Sequence, residues 1–237
     1  MAGGAGGTGG AGGVRLPRSF YDRPALDVAR DLIGKVLVHT RGSVVTSGVI
    51  VEVEAYRGES DAACHAACGP TPRNAPLYGL PGFSYVYLNY GIHCLVNAVV
   101  EPEGSPAAVL IRALEPLEGI AIMRRRRGRP ARGRRAAPRG LPDHALCRGP
   151  GNLTCAMGIT LAENRLDLLG DRLSVQDRGL DPGTVDWSPR IGIRVATGHP
   201  WRASVRGHPA VSGPRATAAR PTRSAPASAA RAARCSC

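Results

Sequence analysis

Alternating apolar and polar positions predict a domain built mainly of β-strands. Residues 47–56 alternate in this way and are rich in β-branched and aromatic side chains, which is typical of a strand. Residues 35–40 predict its antiparallel partner. Residues 85–88 and 93–100 predict a protruding hairpin with Asn89-Tyr90-Gly91 at its tip. Further strands are predicted over residues 107–114, 173–176, 190–195 and 203–205.

Two segments instead show a helical pattern. Asp22 is a candidate N-cap for a helix over residues 24–32 that ends before Gly34, with Val28, Ala29 and Leu32 on its inner side. Residues 117–125 are predicted to begin a second helix. No internal repeat is visible. The pattern therefore predicts a β-rich α+β fold, with an antiparallel sheet and peripheral helices.

Composition changes mark two terminal segments outside this domain and one segment within it. Residues 1–13 form a glycine-rich leader and residues 213–237 an Ala/Arg/Pro-rich tail, both predicted to be disordered. A single domain over residues 14–212 lies between them. Within this domain, residues 124–140 are rich in arginine. Because like charges at this density repel one another and resist packing, we predict that these residues form a surface insertion. Either this surface loop attracts phosphates, or it is solvated and adds little specificity.

The net charge of +13 over 237 residues favours a polyanionic partner. No segment is long and apolar enough to span a membrane, so no membrane partner is expected. The leader has no charged start typical of a signal peptide. The seven cysteines are an odd number, and a chain of this size does not need disulfides, so we expect reduced thiols and a cytoplasmic protein. If the protein is bacterial, we expect it at the DNA of the nucleoid.

Cys64-His65-Cys68 is a candidate metal site, because these side chains ligate zinc. A structural zinc site needs about four ligands, usually with a second close pair. Cys235 and Cys237 form such a pair, but they lie in the predicted tail. We therefore expect neither a metal nor another cofactor.

Glu52, Glu54 and Tyr56 are spaced to share one face of the strand over residues 47–56. His65 follows Glu54 by eleven residues. A carboxylate beside a tyrosine ring suits a site that stacks a flat ligand and activates water. The alternative is a solvated sheet face that carries two glutamates.

Other motifs follow in register. They are Val28-Ala29-Arg30-Asp31-Leu32-Ile33-Gly34-Lys35, Thr71-Pro72-Arg73-Asn74, Pro81-Gly82, Tyr85-Val86-Tyr87-Leu88-Asn89-Tyr90-Gly91, Asn97, Leu110-Ile111-Arg112-Ala113-Leu114-Glu115-Pro116, Gly149-Pro150-Gly151, Arg190-Ile191-Gly192-Ile193 and Pro200-Trp201-Arg202. Together with Glu54-Ala55-Tyr56 and His65, their order and spacing resemble the alkyladenine (3-methyladenine, methylpurine) DNA glycosylases. The resemblance covers residues 20–212.

The resemblance implies an open, Greek-key-like curved sheet or barrel. It also implies a DNA glycosylase that removes alkylated or deaminated purines in base-excision repair. The partner would be double-stranded DNA containing a damaged purine, bound by a monomer. Because a base inside a duplex hides its glycosidic bond, the nucleotide must be flipped out at a cost of a few kcal/mol.

For the chemistry, the resemblance assigns Glu54 as the base that activates water, with Arg112 and the backbone carbonyl of Ile191 holding the same water. Arg112 would also keep Glu54 ionised. Glu52 lies two residues away on the same face and could compete for the role. The family register favours Glu54.

For recognition, the resemblance assigns Tyr56, His65 and Tyr87 to stacking on the flipped base, since aromatic rings hold electron-poor purines well. Asn97 would oppose the exocyclic amine of guanine; the competing interpretation is a buried asparagine that braces the hairpin. Tyr90 would fill the gap that the flipped base leaves. The alternative for Tyr90 is a core residue at a turn.

Lys35 is the only lysine and lies outside the matched site, so Schiff-base chemistry is not expected and the enzyme would be monofunctional. Asn152 replaces a lysine that is common in the family, and Ala203-Ser204 replaces an aromatic pair. Two other functions stay open: a non-catalytic damage-binding protein of this fold, and an arginine-rich nucleic-acid-binding protein.

Overall fold

A nine-stranded antiparallel sheet forms the centre of the computed structural model, which describes residues 13–129 and 135–213. The strands are β1 (Val14–Arg15), β2 (Val36–Arg41), β3 (Val44–Arg57), β4 (Ser84–Asn89), β5 (His93–Val100), β6 (Ala107–Glu118), β7 (Leu173–Asp177), β8 (Val185–Ser188) and β9 (Arg202–Val205). Their order is β1-β7-β2-β3-β6-β5-β4, and β9 pairs with both β3 and β8. The predicted class, a β-rich domain with an open antiparallel sheet and peripheral helices, is confirmed.

The helices are α1 (Arg18–Tyr21), α2 (Ala25–Leu32), α3 (Ile120–Arg127) and α4 (Pro150–Met157), with five short 3₁₀ turns among the described residues. As predicted, α2 buries Val28, Ala29 and Leu32 against the sheet. The predicted cap is wrong, because Pro24 precedes the helix and Asp22 instead ends α1. The Ala25 N–H donates to the Glu101 carboxylate at 3.1 Å, so a residue distant in sequence satisfies the helix start.

The long strand β3 places the candidate carboxylates at the centre of the sheet. Its first half pairs with β2, residues 47–57 pair with β6, and Glu52–Glu54 also pair with β9. The register with β6 shifts on both sides of Glu52, so Arg112 has no paired Cα on β3. This irregularity brings the Arg112 guanidinium into contact with both Glu52 and Glu54.

The second helix begins later than predicted, at Ile120, because β6 continues to Glu118 in register with Ser47. Gly119 makes the turn between them with φ +74°, and a Cβ there would lie 2.5 Å from the Val45 carbonyl oxygen. Only glycine fits this position without a shift of the backbone.

The first residues of the predicted arginine-rich insertion lie in helix α3. Arg124 pairs with Asp143, and Arg127 is nearly buried and contacts the side chain of Asn152. Arg126 donates to the carbonyls of Ala156 and Met157, at 3.0 and 2.7 Å, and so satisfies the end of α4. These guanidiniums are used within the domain. Residues 130–134 lie outside the described part.

The predicted strand over residues 190–195 is wrong: the strand in this region is β8, and residues 190–195 are irregular. Gly192 and Ala196 have positive φ angles of 81° and 51°, which interrupt extended backbone. The side chain of Arg190 points into the protein, where it forms a buried ion pair.

The hairpin of β4 and β5 is confirmed, with Asn89 paired to His93. Apart from residues 13 and 213, the predicted leader and tail lie outside the described residues. Within the described residues, no helix is long and apolar enough to cross a membrane.

Candidate active site

A cleft of about 510 Å³ opens between β3, the β4–β5 hairpin and the irregular segment that follows Arg190. Its lining includes all but one of the predicted site residues. These are Tyr56, His65, Tyr87, Tyr90, Asn97, Arg112 and Ile191. Glu54 does not line the cleft, because its side chain is fully buried.

Glu54 lies directly behind three of the lining residues: two of them donate hydrogen bonds to it, and the third, Arg112, forms an ion pair with it. Its Oε1 accepts from the Ile191 N–H at 2.7 Å and lies 3.1 Å from the Arg112 Nη1. Its Oε2 accepts from the Tyr56 hydroxyl at 3.0 Å. Burial and then the neighbouring Glu54 raise the pKa of Tyr56, so the phenol keeps the proton that it donates.

Glu52 has a different set of partners. Its Oε1 accepts from the Arg112 Nε at 3.0 Å and the Arg202 Nη1 at 2.9 Å, and its Oε2 accepts from the Ser212 N–H at 2.7 Å. Neither Glu52, Arg202 nor Ser212 lines the cleft. Glu52 therefore has the surroundings of a structural carboxylate.

Arg112 links the two carboxylates. Its side chain is only 8% exposed, and burial opposes its charge. The adjacent Glu54 and Glu52 outweigh that effect and raise the pKa of Arg112. A guanidinium that contacts two carboxylates makes it less costly to bury both as ions.

Two of the three rings predicted to stack on a base, those of His65 and Tyr87, are in contact in the lining of the cleft. The His65 ring meets the Tyr87 ring edge-on, with centroids 4.4 Å apart, and Tyr85 stacks on Tyr87 at 5.3 Å. His65 Nδ1 lies 2.8 Å from the Tyr85 hydroxyl. Burial, followed by the charge of Arg73, lowers the pKa of His65, which favours a neutral imidazole. Tyr85 lies in a matched motif, but sequence reasoning assigned no role to it.

Asn97 is buried in β5, and its amide N–H donates to the Tyr85 carbonyl at 2.9 Å. That bond agrees with the bracing interpretation. Because Asn97 also lines the cleft, its proposed effect on guanine stays a prediction.

Tyr90 is exposed at the hairpin tip, as predicted. It is 82% exposed and has a φ of 50°, next to Gly91 at 69°. A bulky residue with positive φ costs of order 1–3 kcal/mol and is held where the surrounding structure requires it. This exposure rules out the core interpretation, while the wedge role stays a prediction.

The Cys64-His65-Cys68 motif does not assemble a metal site. The Cys64 thiol faces the Pro106 carbonyl, while Cys68 is exposed. Across residues 13–129 and 135–213, no three His, Cys, Asp or Glu side chains are grouped so that they could hold a metal ion. Cys235 and Cys237 lie outside that part of the chain.

Comparison with known proteins gives the same family as the site motifs. The sequence model of methylpurine-DNA glycosylase matches residues 19–209. The chain belongs to the methylpurine-DNA glycosylase family. As a member of it, the protein is a DNA glycosylase with a DNA substrate.

Individual relatives agree with this membership of the methylpurine-DNA glycosylase family. A protein of Burkholderia lata, named "Putative 3-methyladenine DNA glycosylase", is 48% identical over 202 residues, or 84% of this chain and 91% of the relative. Proteins of the same name from Rhodopseudomonas palustris and Chlorobium phaeobacteroides are 47% and 44% identical over 81% and 85% of this chain. These alignments cover 84% and 97% of the two relatives.

The departures from the family pattern are accommodated within the fold. Asn152 contacts the side chain of Arg127 and donates to the Arg148 carbonyl at 2.8 Å. Ala203 and Ser204 are buried in β9 beside Val53 and Glu52.

Proposed function

We propose that this glycosylase hydrolyses the N-glycosidic bond of alkylated or deaminated purines that have been flipped out of duplex DNA. The observation that supports it most is Glu54, a buried carboxylate that accepts hydrogen bonds from Tyr56 and Ile191 and pairs with Arg112, all three of which line an aromatic-walled cleft. Stacking on protein rings is worth about 1–3 kcal/mol per base, so this wall offers a binding surface for a purine.

In this mechanism Glu54 accepts a proton from water as the water oxygen bonds to the sugar C1′. The glycosidic bond breaks, and its electron pair leaves with the base. A cationic base departs as a neutral molecule, whereas a neutral base also needs a proton from an acid. The sugar has oxocarbenium character in the transition state, which the negative charge of Glu54 stabilises.

Since Glu54 lies behind Tyr56, Arg112 and Ile191, water must reach it past these groups. Arg112 and the Ile191 carbonyl are our candidates for holding that water. The Ile191 N–H already donates to Glu54, so this backbone segment lies beside the proposed base.

Outside the catalytic centre, the proposal assigns base stacking to Tyr56, His65 and Tyr87 and the wedge to Tyr90. Arg194 is exposed in the lining of the cleft, and the exposed Arg73 lies with its guanidinium carbon 5.8 Å from the Tyr87 ring centroid. Both are suited to contact phosphates beside the flipped nucleotide.

The proposed enzyme is monofunctional. Lys35, the only lysine, pairs with Asp177 at 2.6 Å and does not line the cleft. No lysine amine is therefore placed to attack the sugar.

The test uses the full chain and duplexes that carry 3-methyladenine, 7-methylguanine, hypoxanthine or ethenoadenine. We expect release of at least one of these bases, with strand breaks only after alkali and no borohydride-trapped adduct. Tight binding of lesion duplexes without any release would favour the damage-binding alternative. A trapped adduct would contradict the monofunctional mechanism.

A further inference from the structure

A buried ion pair lies beside the proposed base without contacting it. Both oxygens of Asp61 accept from Arg190, with one contact at 2.8 Å, and both side chains are 0% exposed. Arg190 also donates to the carbonyl of Ala55, the residue between Glu54 and Tyr56, at 3.0 Å. The pair therefore joins the loop after η1 (Gly58–Ser60) to the irregular segment that crosses the cleft.

Arg190 is linked to both residues that donate hydrogen bonds to Glu54. Its guanidinium carbon lies 4.5 Å from the Tyr56 ring centroid and 4.9 Å from that of Trp201. Tyr56 donates to one oxygen of Glu54, and Ile191, the next residue after Arg190, donates to the other. Only Arg112 reaches Glu54 independently of this pair.

We propose that Asp61 and Arg190 are positioning residues that hold the Tyr56 hydroxyl and the Ile191 N–H on Glu54. This inference rests on the proposed role of Glu54 as the base. The two residues would affect the chemical step without contacting the substrate, because they fix where the carboxylate and its donors lie.

The backbone around Ile191 needs such a contact to hold it in position. Residues 190–195 form no strand, and Gly192 has a φ of 81°, so no ladder of hydrogen bonds holds Ile191 in place. A buried ion pair adds little net stability, but its bidentate geometry fixes direction well.

The first test compares the chemical step with binding. In Asp61→Asn, single-turnover base release at saturating enzyme should fall about 10- to 100-fold, since a misplacement near 1 Å has that effect. The dissociation constant for the lesion duplex should change by a smaller factor than the rate, because a shift of Tyr56 leaves stacking on the rings of His65 and Tyr87 in place. If Asp61→Asn does not fold, Arg190→Lys can be used instead, because it keeps the positive charge but loses the bidentate guanidinium geometry. It should likewise lose rate with a smaller change in the dissociation constant.

A matched control is Arg172→Gln, which breaks another ion pair to a fully buried carboxylate, that of Glu163. Neither Arg172 nor Glu163 lines the cleft. This variant should lose thermal stability but release base at the wild-type rate per folded molecule. If it loses as much rate as Asp61→Asn, the effect reports general destabilisation, and the positioning role is wrong.

Coupling to Tyr56 distinguishes positioning from a separate effect. Tyr56→Phe keeps the ring but removes the hydroxyl that donates to Glu54. If Asp61 acts partly through that hydroxyl, the double variant should lose less than the product of the two single losses. Fully multiplicative losses would overturn the inference.

The inference and the proposed function can fail separately. Wild-type release in Asp61→Asn, together with loss in Glu54→Gln, would reject the positioning role alone. Wild-type release in Glu54→Gln would reject the proposed base, and the inference with it.

Discussion

Glutamine substitutions at Glu54 and Glu52 should have opposite effects, because the two carboxylates differ in whether their donors can adapt. In Glu54→Gln, the amide oxygen can remain toward the Ile191 N–H and Arg112. The amide N–H then faces the Tyr56 hydroxyl, which can rotate to accept. Arg112 still pairs with Glu52. The variant therefore keeps its fold and its lesion binding.

What Glu54→Gln loses is the base. General-base catalysis contributes typically about 10²- to 10⁴-fold, so single-turnover release should fall by that factor. The change in the dissociation constant for the lesion duplex should stay within about threefold, because the aromatic wall is unchanged.

In Glu52→Gln, the groups around the side chain cannot adapt to the new amide in this way. The Ser212 N–H donates to one oxygen, and Arg112 and Arg202 donate to the other. None of these groups can accept, so the new amide N–H must face a donor. Breaking a buried ion pair costs about 3–5 kcal/mol. At about 2–4 °C per kcal/mol, the melting temperature should fall by about 6–20 °C.

The assay measures melting temperature and single-turnover release for both variants, at a temperature where both are folded. We expect Glu52→Gln to be unstable and largely active, and Glu54→Gln to be stable and inactive. The reverse pattern would mean that Glu52 is the base. Equal turnover in Glu54→Gln and the wild type would refute the mechanism.

Three further predictions concern the wedge, the buried ion pair and the leaving group. Tyr90→Ala should weaken binding to a paired lesion more than to a bulged one, where flipping costs less; equal losses would point to misfolding. Although burial opposes ionisation, hydrogen bonds from Arg190 hold the pKa of Asp61 below its ordinary 3.8. Asp61 therefore stabilises the fold above about pH 4, and in thermal melts the stability gap to Asp61→Asn should narrow below that pH; a constant gap would contradict this. Hypoxanthine release should fall as pH rises from about 6 to 9, and that of cationic 7-methylguanine should fall less, whereas parallel single-turnover profiles would exclude a distinguishing acid.

The parts of the fold that sequence predicted are those set by local alternation. The strand that carries Glu54, its partner β2 and the β4–β5 hairpin follow from period-two patterns, and the buried face of α2 follows from helical spacing. In each case residues two to four positions apart share one face, so a short window contains the information.

Contacts between distant residues could not be predicted in this way. Asp61 and Arg190 are separated by 129 positions, and the Glu101 carboxylate that meets the start of α2 lies 76 positions from Ala25. Each partner choice depends on how the whole sheet closes. The error at residues 190–195 has the same origin, since the Arg190 side chain pairs with Asp61, a partner 129 positions away that no local pattern identifies.

The positive charge shows that predictions of function from sequence are limited in the same way. A net charge of +13 predicts a polyanionic partner, but it does not say which cations face that partner. Arg112, Arg190 and Arg202 all pair with buried carboxylates, so their charge is neutralised inside the protein. Arg73 and Arg194 are exposed beside the cleft. The field that a phosphate backbone meets there therefore depends on where individual arginines lie, which the composition does not specify.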